Sequence, residues 1–226
     1  MRKRGEEKKG KKAKEKDRQR RKIYIFCEGV TEEIYLKHFE DRHYNAEIIP
    51  VKTEHTDALG IVQFAKEYIN KKDEYFKLEL GDRGYCVFDS DPKSNTDIRT
   101  VFNLLEGYKH KGLYSIFSNP SFEVWFVLHF KAAPYGMSAE KMKQEIKKLV
   151  KNSYSQYSET TDIYNFLFPM QKDALKRAKL LHNAQKEVHD TVYSHECNPY
   201  TDIFDFIDYM NQVKVENSNS LQNKDK

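Results

Sequence analysis

The spacing of apolar and polar positions predicts short buried strands separated by amphipathic helices. Four β-prone apolar runs, each bounded by turn residues, predict strands over 22–27, 46–51, 85–88 and 113–117. Helical periodicity predicts helices that begin near Thr31, near Asp57 and at Thr96 or Asp97. Strands that alternate with helices favour βαβ crossovers. The pattern therefore predicts an α/β fold, with a parallel sheet covered by helices on both faces.

Beyond Pro120 the pattern is mainly helical and predicts helices over 122–130, 139–151, 170–189 and 201–213. A chain of 226 residues is long enough for one domain with a helical addition. We expect a disordered basic tail, an α/β core, a helical part packed on that core and a flexible end. Their ranges are 1–21, 22–120, 121–213 and 214–226.

Charge is distributed unevenly along the chain. Residues 1–22 hold 13 Lys or Arg against 4 Asp or Glu, a net charge of +9, whereas the whole chain has a net charge of +4. The remainder is therefore acidic, with a net charge of −5. Such a tail either binds a polyanion such as nucleic acid or serves as a solvated extension that keeps the protein soluble.

The cysteine and hydropathy patterns bear on the compartment. Cys27, Cys86 and Cys197 form no C-x-x-C pair, and their odd number disfavours a disulfide framework, as is typical of a reducing cytosol. No apolar run approaches the ~20 residues of a membrane span. No apolar signal-peptide segment follows the basic N-terminus. We predict a cytoplasmic protein without a membrane partner.

Acidic residues directly follow two of the predicted strands. Glu28 follows the first strand, and Asp89 and Asp91 follow the third. Ligands of open α/β sheets bind beyond the carboxyl ends of the strands, so these side chains can converge there. Residues i and i+2 of an extended backbone point to the same side, so both aspartates can share a site while Ser90 points away. Carboxylates, water and phosphate oxygens are the ligands that Mg²⁺ prefers.

The same acids have a structural interpretation. An Asp-x-Asp is common in surface turns, and acidic or hydroxyl side chains favour helix N-termini. Thr31 is a candidate cap for the helix after the first strand, with Glu32 and Glu33 in its first turn. Spacing alone does not separate a cation site from caps and turns.

Four motifs in matching order resemble the RloB-like family. They are Ile25-Phe26-Cys27-Glu28-Gly29 with Thr31-Glu32 and Tyr35-Leu36, then Val87-Phe88-Asp89-Ser90-Asp91, then the run from Asn119 to Phe130, then Asn198-Pro199-Tyr200-Thr201-Asp202. The likeness covers residues 22 to about 212 and omits both tails. Four motifs in order are more specific than any one of them.

The resemblance implies a Toprim fold, shared with topoisomerases, primases and OLD-type nucleases, and a link to prokaryotic restriction and anti-phage loci. Glu28 matches the Toprim glutamate, and Asp89 and Asp91 match the Toprim Asp-x-Asp. The fuller pattern has a third Asp where this chain has Lys93, which leaves one or two metal ions open. The implied function is a Mg²⁺- or Mn²⁺-dependent nuclease. We favour RNA, with tRNA a candidate, over DNA from the chain's size and from defence nucleases of similar fold.

Each acidic residue has a role in that chemistry. A metal ion neutralises charge that grows on the phosphate during cleavage, and Asp89 and Asp91 would hold it. Glu28 would either exchange a proton with the attacking or leaving oxygen or act as a metal ligand. Glu123 is a further catalytic candidate because a charge within an apolar segment needs a partner or a metal when buried. Its alternative place is an exposed helix face or the helix N-terminus.

Other side chains carry weaker signals. His129 either contacts phosphate or packs in the core. A basic set either binds phosphates or is a solvated helix face, and comprises Lys172, Lys176, Arg177 and Lys179. An aromatic set either stacks on bases or serves the core, and comprises Tyr154, Tyr157, Tyr164 and Phe166. The spacing typical of a zinc site is not found in a fourth set, which comprises His182, His189, His195 and Cys197.

A function of another class is a non-catalytic Toprim module that holds a nucleotide or metal to sense or regulate within a defence system. A pure binding module does not need the set of Glu28, Asp89 and Asp91, which favours the nuclease. The protein partners that we expect are a second copy of the chain or a defence-system protein. No GxxxxGK[ST] loop is present, which disfavours a self-contained ATPase.

Overall fold

A computed structural model describes residues 20–27, 29–40, 44–71, 76–92 and 97–222. The strands are β1 (Arg21–Cys27), β2 (Ala46–Lys52), β3 (Arg83–Asp89), β4 (Leu113–Asn119) and β5 (Tyr200–Thr201). The helices are α1 (Val30–Lys37), α2 (Ala58–Lys71), α3 (Ile98–Glu106), α4 (Glu123–Leu128), α5 (Ala139–Val150), α6 (Tyr164–Leu167), α7 (Gln171–Val188) and α8 (Ile203–Gln222). Four strands lie close to their predicted bounds. The predicted basic tail lies outside the described residues except for its last two.

The sheet has the strand order β2-β1-β3-β4-β5. The first four strands are parallel, as the βαβ pattern predicts. The C-terminal part also adds β5, which the sequence placed at the start of a helix and which pairs antiparallel with the end of β4. Two residues are too few for a recognisable alternation, so only pairing with β4 defines this strand.

Alternation along the strands assigns side chains to the two faces of the sheet. In β1, Ile23 and Ile25 join one apolar cluster, whereas Tyr24 and Phe26 join the other. The first cluster is covered by α1 and by helices of the C-terminal part, and the second by α2 and α3. The predicted α/β arrangement, with helices on both faces of the sheet, is confirmed.

The C-terminal helices share a core with the sheet rather than forming a separate one. Every residue of α4 is buried, and Trp125 at its centre is fully inaccessible. Arg177 on α7 donates hydrogen bonds to the carbonyl oxygens of Leu128 (2.7 Å) and His129 (3.1 Å) at the end of α4. Arg177 thus stabilises a helix C-terminus and is not part of an open basic face.

Helix ends depart from the sequence pattern in two places. Gly29, not Thr31, is the N-cap of α1, and the Thr31 hydroxyl donates instead to the carbonyl oxygen of Glu159 (3.1 Å). The last helix continues to Gln222, past its predicted end at 213. Asp97 does cap α3, since its carboxylate accepts the N–H of Arg99 at 3.0 Å.

The three cysteines are buried and unpaired, in agreement with the predicted absence of a disulfide framework. Among the described residues, no helix is both long and apolar enough to cross a membrane.

Candidate functional site

A cavity of about 380 Å³ lies at the carboxyl ends of β1 and β3. It collects side chains from α1, α2, α3, α4 and α5, from the end of β3 and from several loops. Its ionisable lining residues within the described part of the chain are Glu32, Asp57, Asp89, Asp91, Glu123, Lys143, Glu159 and His195. Six carboxylates therefore line the cavity together with one lysine, which gives it a strongly negative charge.

Three of the four predicted site residues line this cavity. They are Asp89, Asp91 and Glu123. The fourth, Glu28, lies outside the described residues, so its role stays a prediction; its neighbour Gly29 does line the cavity. The structure thus brings together a strand end and a helix start that are more than thirty positions apart in the chain.

Asp89 ends β3 and is accessible from the cavity. Loss of hydration of the Asp89 carboxyl within the surrounding protein raises its pKa well above the ordinary range. The nearby charges of Glu32 and Glu123 raise this pKa further. Lys143 and the backbone N–H of Phe122 act in the opposite direction without cancelling the effect. The site therefore disfavours negative charge on Asp89 unless a cation is present.

Glu123 is buried to 2 % exposure at the first position of α4. Of the two alternatives considered from the sequence, the exposed helix face is therefore wrong for this residue, whereas the helix N-terminus is where it lies. Because the rest of α4 is apolar and buried, the helix places this single carboxylate against the cavity. A charge in such a position requires a partner or a bound cation.

Glu32 belongs to the site although its position suggested only a helix first turn. Burial raises the pKa of Glu32 to about 7, and the Glu123 carboxylate adds to the rise. Its Oε2 atom is buried and has no hydrogen-bond partner within the described chain. A Cβ on Gly29 would lie 1.9 Å from this oxygen, so glycine there leaves room for the carboxylate.

A histidine from a distant segment stands beside the Asp-x-Asp. Ser90 is buried between the two aspartates, and its Oγ forms a 2.6 Å hydrogen bond with His195 Nδ1. Asn119 Nδ2 donates to the carbonyl oxygens of Ser194 (3.1 Å) and His195 (3.0 Å). These bonds fix the imidazole against the cavity. Ser90 itself is not among the lining residues, as the strand alternation predicts.

Lys143 on α5 is the cation of the cavity rim. Its ammonium forms an ion pair with Glu159. That bond raises the pKa of Lys143, and the charges of Glu123 and Asp89 contribute to the rise. Lys143 therefore offsets part of the negative charge. Its position could not be read from the sequence, where it is one of many lysines on an amphipathic helix.

The cavity fits a hard divalent cation by its chemistry. Its donors are carboxylate oxygens, one of which is buried without a partner. The side chains that would hold such an ion are Asp89, Asp91, Glu32 and Glu123. Within the described residues, however, no three Asp, Glu, His or Cys side chains already stand together as a metal site. The described side chains supply the charge and the donor type that such an ion requires.

The remaining histidine and cysteine candidates serve the core. His129 is buried, its Nδ1 donates to the Trp125 carbonyl oxygen (2.9 Å), and burial lowers the pKa of its imidazole to about 4. It does not line the cavity, so the core interpretation is correct. His182 bonds to the Tyr200 hydroxyl at 3.0 Å, and the Cys197 thiol donates to the Thr191 carbonyl oxygen at 3.3 Å.

Comparison with protein families supports the resemblance noted in the four motifs. A family model described as RloB-like protein matches residues 23–210. This range contains β1 to β5 almost completely, together with every candidate site residue named above, and leaves out the basic tail. Comparisons with curated proteins and with solved structures found no match. The chain belongs to the RloB-like family.

Proposed function

We propose that this protein is a metal-dependent nuclease that cleaves phosphodiester bonds in nucleic acid and acts in prokaryotic anti-phage defence. The observation that carries the proposal is the convergence of Glu32, Asp89 and Glu123 on one cavity at the strand ends. Their mutual repulsion is unfavourable without a counter-charge. A site of this kind is typical of cation binding followed by phosphate chemistry.

The chain's own residues have distinct tasks in this proposal. Bound Mg²⁺ or Mn²⁺ would supply charge neutralisation at the phosphate. Asp89 and Asp91 would hold the ion, and Glu32 and Glu123 would complete the negative cavity. Glu28, which is outside the described residues, would exchange a proton with the attacking or leaving oxygen or serve as a further ligand. His195, fixed through Ser90, would donate a hydrogen bond to a phosphate oxygen.

We further propose RNA, tRNA included, as the favoured substrate over DNA. The proposed compartment is the cytoplasm. A second copy or a defence-system protein is the proposed protein partner. The preference for RNA rests on the chain's size and on defence nucleases of similar fold.

A second candidate is a regulatory module that binds a nucleotide or metal without cleaving. Such a module would use the same acidic cavity to bind its ligand, yet the wild-type protein would leave nucleic acid intact. The two candidates therefore differ in a measurable product.

The decisive experiment incubates the purified full-length protein with RNA and DNA in Mg²⁺, in Mn²⁺ and in a chelator. We expect metal-dependent cleavage by the wild type and none by Asp89→Asn. The matched control is Asp97→Asn, because Asn caps a helix as well as Asp does and Asp97 does not line the cavity. Sequencing of RNA and DNA ends from cells expressing wild type or Asp89→Ala then identifies the substrate. Cleavage that survives Asp89→Asn would disprove the proposal.

A further inference from the structure

A second cavity of about 340 Å³ adjoins the acidic one. It is bounded by α5 and the loop before α6. Glu123, Lys143 and Glu159 line both cavities, so the ion pair between Lys143 and Glu159 stands at their junction. The Thr31 hydroxyl donates to the Glu159 carbonyl oxygen and ties this junction to α1. The two cavities thus meet at this ion pair.

Tyr157 gives the second cavity an unused hydrogen-bonding group. The residue is 6 % exposed, and its hydroxyl is buried without a partner in the described part of the chain. A buried hydroxyl that lacks a partner is unfavourable, so such groups are commonly completed by a ligand or water. Burial first, and then the charges of Glu123 and Glu159, raise its pKa. The hydroxyl therefore remains a proton donor.

Two lysines of α5 line the second cavity. Lys143 and Lys147 are one helical turn apart on α5, so they lie on the same face about 6 Å from each other along the axis. Both line the second cavity, and Lys147 is exposed. The next residue, Lys148, does not line it and pairs with Glu145 at 3.6 Å. Positive charge thus continues outward from the acidic cavity along the face of α5 that carries Lys143 and Lys147.

We propose that the second cavity receives the nucleotide next to the scissile phosphate, with Lys147 contacting its phosphate and the Tyr157 hydroxyl donating to a sugar–phosphate oxygen. This inference rests on the proposed function for the position of the scissile phosphate. Its consequence is that one strand contacts both cavities, because adjoining cavities would receive successive groups of one backbone.

The test measures binding of a fluorescent single-stranded RNA and of a DNA of the same sequence by anisotropy. The full-length protein carries Asp89→Asn so that a bound strand stays intact. Lys147→Gln should weaken binding about threefold to tenfold and reduce the slope of log affinity against log salt by about 0.7, the value for one phosphate contact on a single strand. Lys148→Gln is the matched control and should change neither quantity.

Tyr157→Phe removes only the hydroxyl and should weaken binding about twofold to tenfold, the fold-change of one lost hydrogen bond. A loss confined to RNA identifies the 2′-hydroxyl as the acceptor, and an equal loss on RNA and DNA identifies a phosphate oxygen. No loss on either strand, or equal effects of Lys147→Gln and Lys148→Gln, would overturn the proposal. Absence of cleavage by the wild type would refute the nuclease but leave this binding comparison decisive.

Discussion

β3 carries an aspartate at each end, and the two have opposite surroundings. Asp82, just before the strand, is fully buried and accepts the backbone N–H groups of Lys22 and Lys77, both at 2.8 Å. Asp89, the last residue of the strand, opens onto a cavity and faces the charges of Glu32 and Glu123. The Asp82 carboxylate accepts a backbone hydrogen bond on each oxygen, whereas the Asp89 carboxylate lies near two other negative charges.

The buried Asp202 extends the comparison. Its carboxylate accepts the N–H of Phe117 (2.5 Å) and the hydroxyl of Ser115 (2.9 Å), and so it holds α8 against β4. Asp82 and Asp202 thus have a donor on each carboxylate oxygen, whereas Glu32 in the cavity keeps a buried oxygen that has no donor among the described residues. The difference favours the cavity, rather than acidity in general, as the place where a ligand would bind.

The largest effect is expected at the cavity end of β3. Asp89→Asn/Asp91→Asn should abolish Mg²⁺ binding and cleavage, since it removes both proposed ligands from the strand end. Thermal stability should not fall, because the substitution relieves repulsion with Glu32 and Glu123. Calorimetric titration with Mg²⁺ and Mn²⁺, together with melting curves, measures both effects. Equal metal affinity in the variant and the wild type would contradict the assignment.

Glu28→Gln tests the acid that only the sequence assigns. The amide preserves the shape but can neither carry the charge nor transfer a proton, so cleavage should fall by about 100-fold or more. The melting temperature should stay near that of the wild type. Rates under single-turnover conditions and a thermal melt decide the matter. Full activity would make Glu28 a structural residue.

The scaffold end of β3 should respond in stability rather than in activity. Asp82→Ala leaves two backbone N–H groups without their acceptor and should destabilise the protein by about 2–4 kcal/mol. Asp82→Asn, which retains one oxygen, should cost less. Urea denaturation gives the change, and the cleavage rate per folded molecule should be unaltered. A stable but inactive Asp82→Ala variant would erase the distinction between the two ends.

The pKa of Glu32 predicts a dependence of stability on pH. Folding raises this pKa from its ordinary value of 4.5 to about 7, so between these values the folded state binds more protons than the unfolded state. Stability should therefore decrease as pH rises from about 4.5 to 7, by at most about 3 kcal/mol. Glu32→Gln should remove part of this decrease and be the more stable protein at pH 8. The remainder belongs to other buried carboxyls, chiefly Asp202, whose pKa burial also raises to about 7. Denaturation series at several pH values, with and without Mg²⁺, test it. An unchanged pH profile in the variant would show that Glu32 is not the group responsible.

The smallest effect is expected from the basic tail, which precedes β1, because the amino end of this strand lies opposite the carboxyl end that borders the cavity. Deletion of residues 2–19 keeps Arg21, which pairs with Glu216. It should weaken nucleic-acid binding and flatten its salt dependence because fewer counterions are released. The single-turnover rate should be preserved. Replacement of the tail's Lys and Arg by Gln controls for length. An unchanged salt slope would support the solubilising role, and a lost rate would mean that the tail contributes to the site.

The local pattern of apolar, polar and turn residues was sufficient to predict much of the fold of this protein. Period-two alternation and turn residues are properties of neighbouring positions, so the strands from β1 to β4 and most helices followed from them. Chain order also placed Asp89 and Asp91 at a strand end. Glu123 was suspected because a charge in an apolar helix is anomalous in any context. The sequence predicts Thr31 as the N-cap of α1, which is wrong. The choice of cap depends on the backbone conformation, and Gly29 adopts the extended conformation of an N-cap.

Contacts between distant segments were decided only by the tertiary structure. His195 meets Ser90 across 105 positions, and Thr31 meets Glu159 across 128. Glu32 has an ordinary helix-start sequence, and only the arrival of Glu123 and Asp89 turns it into a member of the cavity. β5 likewise exists because β4 offers it an edge. The sequence by itself determined which carboxylates stand at strand ends, since that depends on local periodicity. Burial, repulsion and the unpartnered hydroxyl of Tyr157 depend on packing, and packing is a property of the whole chain.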